Sequence, residues 1–273
     1  MIRALAILLA TYVCCAISAQ VLEDNNADNI RAEIEQSPSF GLYKDNYFSV
    51  GIPLNHKVTR HTTDVKFQLS IHQRLTKSKL PFDTYLFLQY TQKAFWNVLE
   101  NSMPMRDINF NPGLGIGHLI VHDGRYIGKV YLMGEHESNG KFTTYSRSWN
   151  KITVGAAIML NKNMDVQFKT WYPIIDGRHN KDILEYNGIF QLAGNYLTDN
   201  RKLNVGLVLM KRKSGLSFNT QLEVSWKFGK NNTQYFFLQY YNGYGENLLE
   251  YKEYHSNVRF GFVIKPSTGF SFY

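Results

Sequence analysis

The chain has 273 residues, of which 15% are aromatic and 19% charged, with 30 Lys and Arg against 22 Asp and Glu and a formal charge of +8. Its two cysteines, Cys14 and Cys15, are adjacent and lie inside the first apolar run, which excludes a disulfide framework in the rest of the protein. Beyond that run no stretch reaches the roughly 18 apolar residues of a spanning helix, so any membrane span in the rest of the chain has to be made of strands. The basic residues are scattered, with no basic run interleaved with aromatics, which argues against nucleic acid and for loops facing anionic lipid heads or lipopolysaccharide.

Met1-Ile2-Arg3, the apolar run Ala4 to Ile17 and the small residues Ser18 and Ala19 predict a secretory signal over 1–19, with cleavage after Ala19. Residues 20–43 begin acidic and amide-rich and are expected to form an N-terminal extension. The remainder, 44–273, is expected to form one domain of about twelve strands, over 44–53, 64–74, 83–95, 113–121, 126–138, 148–160, 164–173, 183–195, 202–210, 215–228, 232–243 and 256–265. Turn residues mark the joins: Asp123-Gly124, Asn161 to Asn163, Asp199-Asn200, Ser214-Gly215 and Gly229 to Asn232. No helical period persists and no repeat is visible.

Several strands alternate strictly. Leu86, Leu88, Tyr90 and Gln92 share one face while Gln89, Thr91 and Lys93 share the other, and Val258, Phe260, Phe262 and Ile264 line one side of the last strand. An even number of antiparallel strands closes up-and-down into a transmembrane β-barrel, with an apolar outer face and a polar lumen. The 18 Tyr, 18 Phe and 4 Trp suit the aromatic girdles of such a barrel, and the aromatic end Gly269 to Tyr273 suits its insertion. A soluble sandwich or lipocalin-like barrel is the competing architecture.

Chemistry concentrates between Gly134 and Ile152. Two residues apart on a strand, His136 and Ser138 share a face, which continues back through Gly134, Leu132 and Val130 and is apolar. On the returning strand Asn150 shares its face with Ile152, Val154, Ala156 and Ile158. Antiparallel pairing with His136 opposite Asn150 sets Ser138 opposite Ser148 and gathers a nucleophile, a base and an orienting amide. Polar groups on a face turned to hydrocarbon are expensive and usually functional. The remaining histidines lack metal-type spacing, and Asp176, Asp182 and Glu185 read as solvated loop charges.

Several stretches together resemble the outer membrane phospholipase A family: D-N-Y-F from Asp45, V-K-F-Q-L-S from Val65, Y-T-Q-K from Tyr90, H-E-S-N-G from His136, S-R-S-W-N from Ser146, Trp171-Tyr172, and G-Y-G-E from Gly243. The resemblance implies a twelve-stranded barrel in the bacterial outer membrane and a calcium-dependent phospholipase. It makes Ser138 the nucleophile, His136 the general base, Asn150 the holder of the imidazole, and the Gly140 backbone N–H an oxyanion donor. It also implies calcium ligands at the Ser146 hydroxyl and the Lys141 carbonyl, with a Ser102 carbonyl from a second subunit. Position 141 is usually arginine in the family, which leaves a main-chain ligand unaffected. Glu137 replaces the usual aspartate and should point into the lumen.

Gln92, an amide on a lipid-facing strand, is expected at a homodimer contact because hydrocarbon offers it no partner. The expected activity is hydrolysis of glycerophospholipid acyl esters of phospholipase A1, A2 and lysophospholipase type, through an acyl-enzyme. The alternative is a porin or structural barrel without chemistry, which the lumen residues Glu135, Glu137, Arg147 and Lys151 would obstruct.

Overall fold

The computed structural model describes residues 32, 34–123, 125–175, 178–228 and 233–266. The expected signal, most of the N-terminal extension, Gly124, Asp176, the turn from Gly229 to Asn232 and the aromatic end lie outside them. The strands are β1 (Phe40–Leu42), β2 (Asn46–Pro53), β3 (Asp64–Arg74), β4 (Thr84–Trp96), β5 (Met105–His122), β6 (Arg125–Ser138), β7 (Ser148–Asn161), β8 (Met164–Ile174), β9 (Phe190–Leu197), β10 (Leu203–Lys211), β11 (Phe218–Lys227), β12 (Gln234–Gly243) and β13 (His255–Ile264).

From β2 onward each strand pairs antiparallel with its chain neighbour, and β13 pairs back onto β2, from Asn257 opposite Pro53 to Ile264 opposite Asn46. β1 and β2 sit on the same edge of β3, against Ile71–Gln73 and Asp64–Gln68 respectively, and act as one interrupted strand. The result is a closed twelve-stranded antiparallel barrel. Its pairing reaches back to Phe40, a few residues into the segment read as an extension.

Alternation turns this barrel inside out relative to a soluble protein. Along β13, Phe260 and Phe262 are 57% and 52% exposed while Arg259, next to Phe260 and turned into the lumen, is 1% exposed. The same holds for Phe48, Val50 and Ile52 around the fully buried Ser49, and for Leu88 beside the buried Gln89. An apolar exterior over a polar lumen is stable only where hydrocarbon replaces water outside, which removes the soluble sandwich from consideration.

Two strands differ from expectation. β5 begins at Met105 and not at residue 113, because Asp107, Asn109 and Asn111 are lumen-facing polar positions that resemble a loop in sequence. The segment expected as the start of a strand at 183 is a short helix, Ile183–Asn187, whose Ile183 packs with Trp149, Leu248 and Tyr251 at the barrel mouth. Gly188, at φ 92°, ends it and lets β9 begin at Phe190.

The lumen is filled. Residues 244–254 fold into the mouth, burying Glu246, Leu248 and Tyr251 to 1% exposure. Glu246 accepts from Lys66 at 3.0 Å and Arg259 at 2.7 Å, and Arg259 also donates to Asp64 at 3.0 Å. Arg106 joins Asp64 at 2.6 Å and approaches Glu250 at 3.6 Å, so three cations meet three carboxylates. A lumenal cavity of about 150 Å³ remains, lined in part by Lys44, Lys93, Glu135, Glu137, Lys151 and Lys169.

Burial alone would raise the Glu246 carboxyl, but Arg259 and Lys66 hold it well below the usual carboxylate range. A carboxyl depressed on folding contributes stability above its unfolded pKa and loses it only as pH falls through the folded value. The parent should therefore keep its compact gel mobility at the ordinary glutamate pKa of about 4.3. Glu246→Gln leaves Lys66 and Arg259 undercompensated and should cost roughly 3–5 kcal/mol in urea unfolding from vesicles; an unchanged midpoint would show that the cluster does not hold the mouth.

Candidate active site

β6 and β7 pair with His136 opposite Asn150 and Ser138 opposite Ser148, the register expected from the sequence. His136 Nδ1 lies 2.8 Å from Asn150 Oδ1. An amide oxygen only accepts, so the imidazole carries a proton on Nδ1, and in the neutral ring the lone pair is then on Nε2. Ser138 is half-buried one step further along the same strand face, and its Oγ makes no hydrogen bond among the described residues.

The surroundings are apolar. In the row of residues next to the pair, Leu88 lies opposite Leu114, Leu114 opposite Gly134, and Gly134 opposite Ile152. A Cβ on Gly134 would meet nothing closer than 4.0 Å, so the missing side chain leaves a depression in an otherwise leucine and isoleucine surface. These four residues, with His136 and Asn150, line part of an open groove of about 680 Å³ on the outside of the barrel.

The opposite face of the same strands locks the site from behind. Glu137 points into the lumen and its Oε2 accepts from Trp149 Nε1 at 3.1 Å and Lys151 Nζ at 2.9 Å, with the Lys151 ammonium 4.4 Å from the centre of the Trp149 ring. Arg147 lies at the mouth, donating to the carbonyls of Thr144 and Ser146, and so does not fill the lumen. Pro112 stands opposite His136 and has no N–H for the ladder; the Asn111 side chain supplies the donor instead, 2.9 Å from the His136 carbonyl.

The loop between β6 and β7 carries the other expected site residues. Gly140 has φ 64°, and a Cβ there would come within 3.0 Å of the Phe110 ring, so the position requires glycine. Its N–H makes no hydrogen bond among the described residues. The Ser146 hydroxyl and the Lys141 carbonyl are likewise unengaged there. These are hard oxygen donors of the kind calcium takes, all neutral and too few for a complete shell.

Ser102 lies elsewhere, exposed on the turn between β4 and β5 with φ 64°, and contacts none of these groups within the chain. Gln92 faces outward, but its Oε1 accepts from the Tyr90 hydroxyl at 2.9 Å, so part of its amide is satisfied within one copy. Asp182 pairs with Lys252 and accepts from the Tyr251 hydroxyl. Asp107, Asn111 and Asn139 escaped the reading of the sequence. The first two lie in a stretch that reads as a loop, and Asn139 shows only as a motif letter between Ser138 and Gly140.

A family model described as phospholipase A1 matches residues 43–264. Phospholipase A1 of Escherichia coli is 32% identical over 212 residues, covering 74% of this chain and 69% of that protein. Among solved structures, outer membrane phospholipase A from Escherichia coli matches with a TM-score of 0.73 and 26% identity, over 83% of this chain and 98% of that one. A Salmonella typhi outer membrane phospholipase dimer with bound calcium also matches at 0.73 and 26%, over 82% and 91% of the two chains.

Replacing Asn111 by leucine keeps the volume but strips the His136 carbonyl of its donor. The expected result is a loss of about 1–3 kcal/mol in denaturant unfolding, the cost of an unmade hydrogen bond in the wall. Wild-type stability in Asn111→Leu would mean that the strand finds another donor.

Proposed function

Because this chain belongs to the phospholipase A1 family and forms the outer-membrane barrel of that family, we propose that it hydrolyses glycerophospholipid acyl esters in the bacterial outer membrane through Ser138, His136 and Asn150. The observation that carries the reading is the 2.8 Å contact of His136 with Asn150, on an apolar outer face two residues from a serine. A phospholipid lying along the barrel already has its ester near that face. The groove beside Gly134 receives an acyl chain without drawing the lipid out of the bilayer.

Ser138 Oγ attacks the ester carbonyl carbon while its proton passes to His136 Nε2. Collapse of the tetrahedral adduct breaks the acyl C–O bond, and the imidazolium returns the proton to the leaving glyceryl oxygen. Lysophospholipid departs and an acyl-serine remains. Water, deprotonated by His136, then releases the fatty acid and restores Ser138. Asn150 holds the Nδ1–H tautomer throughout but offers the imidazolium no negative charge, so the site leans on stabilisation of the oxyanion. The free N–H of Gly140 supports that role.

Calcium fits the loop chemically: the Ser146 hydroxyl and the Lys141 carbonyl would hold it, with Ser102 of a second copy as the natural supplement to so few donors. When bound it would supply positive charge that favours an oxyanion and would polarise water. A second copy packed on the outer face also gives the remaining Gln92 donors a partner. An open groove accommodates either ester position and lysophospholipids alike, which supports the phospholipase A1, A2 and lysophospholipase reading. The plugged lumen weighs against the porin alternative.

Detergent-refolded protein should release fatty acid from phospholipid with calcium and cease with chelator. Ser138→Ala should lose about 10³-fold or more, and Asn150→Ala less. Equal release from parent and Ser138→Ala would sink the mechanism. Gln92→Leu is expected to reduce crosslinked dimer in calcium and substrate; dimer yield equal to the parent's would remove Gln92 from the interface.

A further inference from the structure

The Asn139 side chain ties the β6–β7 loop to the barrel wall. Asn139, 4% exposed, uses its full hydrogen-bonding capacity across the loop's two limbs. Its Oδ1 accepts from Arg147 N at 2.9 Å and Lys141 N at 3.4 Å, and its Nδ2 donates to the Tyr145 carbonyl at 3.0 Å and to Asp107 Oδ1 at 3.2 Å. The backbone N–H of Asn139 also donates to the Arg147 carbonyl at 3.0 Å. An amide satisfied on all sides has one orientation, and the loop geometry follows it.

Asp107, on β5, shows no exposure at all. Its Oδ2 accepts from Asn109 Nδ2 at 2.6 Å and from Leu249 N at 2.9 Å, while Asn109 Oδ1 accepts from Leu248 N at 3.1 Å. One carboxylate thus joins three parts of the molecule: the barrel wall, the mouth-filling segment and, through Asn139, the loop bearing Gly140, Lys141 and Ser146. Charge-assisted bonds of this type are about twice as strong as neutral ones. The loop itself is otherwise exposed from Phe142 to Tyr145 and has little packing to hold it.

We infer that Asn139 and Asp107 are positioning residues, a buried amide–carboxylate link that holds the Gly140 N–H and the oxygen donors of the loop in register with Ser138. The inference rests on the phospholipase reading for its catalytic consequence, though not for the anchoring itself. Both residues are buried and neither lines the outer groove. Without the link the loop limbs separate, the strand pair carrying His136 and Asn150 stays paired, and substrate still binds the outer groove.

The test is a swap cycle with two independent readouts. Asn139→Asp sets two carboxylates against each other and removes the donor to Tyr145. Asp107→Asn restores a donor across the gap when combined with it. In the folded protein, judged by heat-modifiable gel mobility, Asn139→Asp should lower kcat by about 10²-fold with KM little changed. In chelator, trypsin should nick it after Lys141 while leaving the parent loop whole. The Asn139→Asp, Asp107→Asn double variant should recover most of both.

Should Asn139→Asp not fold, Asn139→Ala removes the link without adding charge and is expected to show the same loss and the same nick. Parent-like resistance to trypsin in the single variants, or a double variant no better than Asn139→Asp, would overturn the inference even with the parent fully active. A parent that hydrolyses nothing, with the trypsin pattern as expected, would remove the enzymatic reading and leave the anchoring in place.

Discussion

In hydrocarbon a backbone N–H or carbonyl without a partner costs several kcal/mol, so a sheet in the bilayer has to close on itself. Here the seam between β13 and β2 completes that closure, and much else follows from it. With twelve strands paired, side chains have only two directions available, lipid or lumen, and each residue's face is set by parity. Pro112 tests the rule, because it breaks the ladder beside His136, and the adjacent Asn111 supplies the missing donor. The wall is thus continuous at the point where it carries the proposed nucleophile and base.

The lumen obeys a second form of the same constraint. Charges removed from water need partners at close range. Asp64, Glu246 and Glu250 are matched by Lys66, Arg106 and Arg259, and the segment from residue 244 to 254 folds inward to complete the set. That packing leaves no wide channel. It also stiffens the strands from within, so that Glu137, gripped by Trp149 and Lys151, steadies from behind the backbone that presents His136 and Ser138 outward. From Lys129 to Ser138 parity therefore gives β6 two roles: odd residues face the lumen and even residues face outward, His136 and Ser138 among them.

Most of the barrel was legible in the sequence because lipid-facing positions are apolar and alternate with polar ones. Where both faces are ambiguous the reading failed. The stretch Met105–Pro112 looks like a loop, since Asp107, Asn109 and Asn111 are polar and a proline follows, yet their polarity is what a lumen requires. Ile183–Asn187 has strand-like apolar residues but lies beyond the bilayer-spanning wall, and its contacts with Trp149 and Leu248 at the mouth favour one helical turn. Gln92 looked partnerless because Tyr90 is its near neighbour on the same face, a contact that depends on side-chain conformation.

By itself the sequence determined the fold class, the shared face of His136 and Ser138 and the pairing of His136 with Asn150, all of which are local consequences of period two and a hairpin register. Tertiary structure alone decided what fills the lumen and what holds the loop. Residues such as Asp107 and Leu249, or Lys66 and Glu246, are far apart in the chain, and no local pattern relates them. They meet because closing the barrel encloses polar groups that then have to satisfy one another. Sequence period specifies direction, whereas partner choice inside a closed lumen depends on the whole ring of strands.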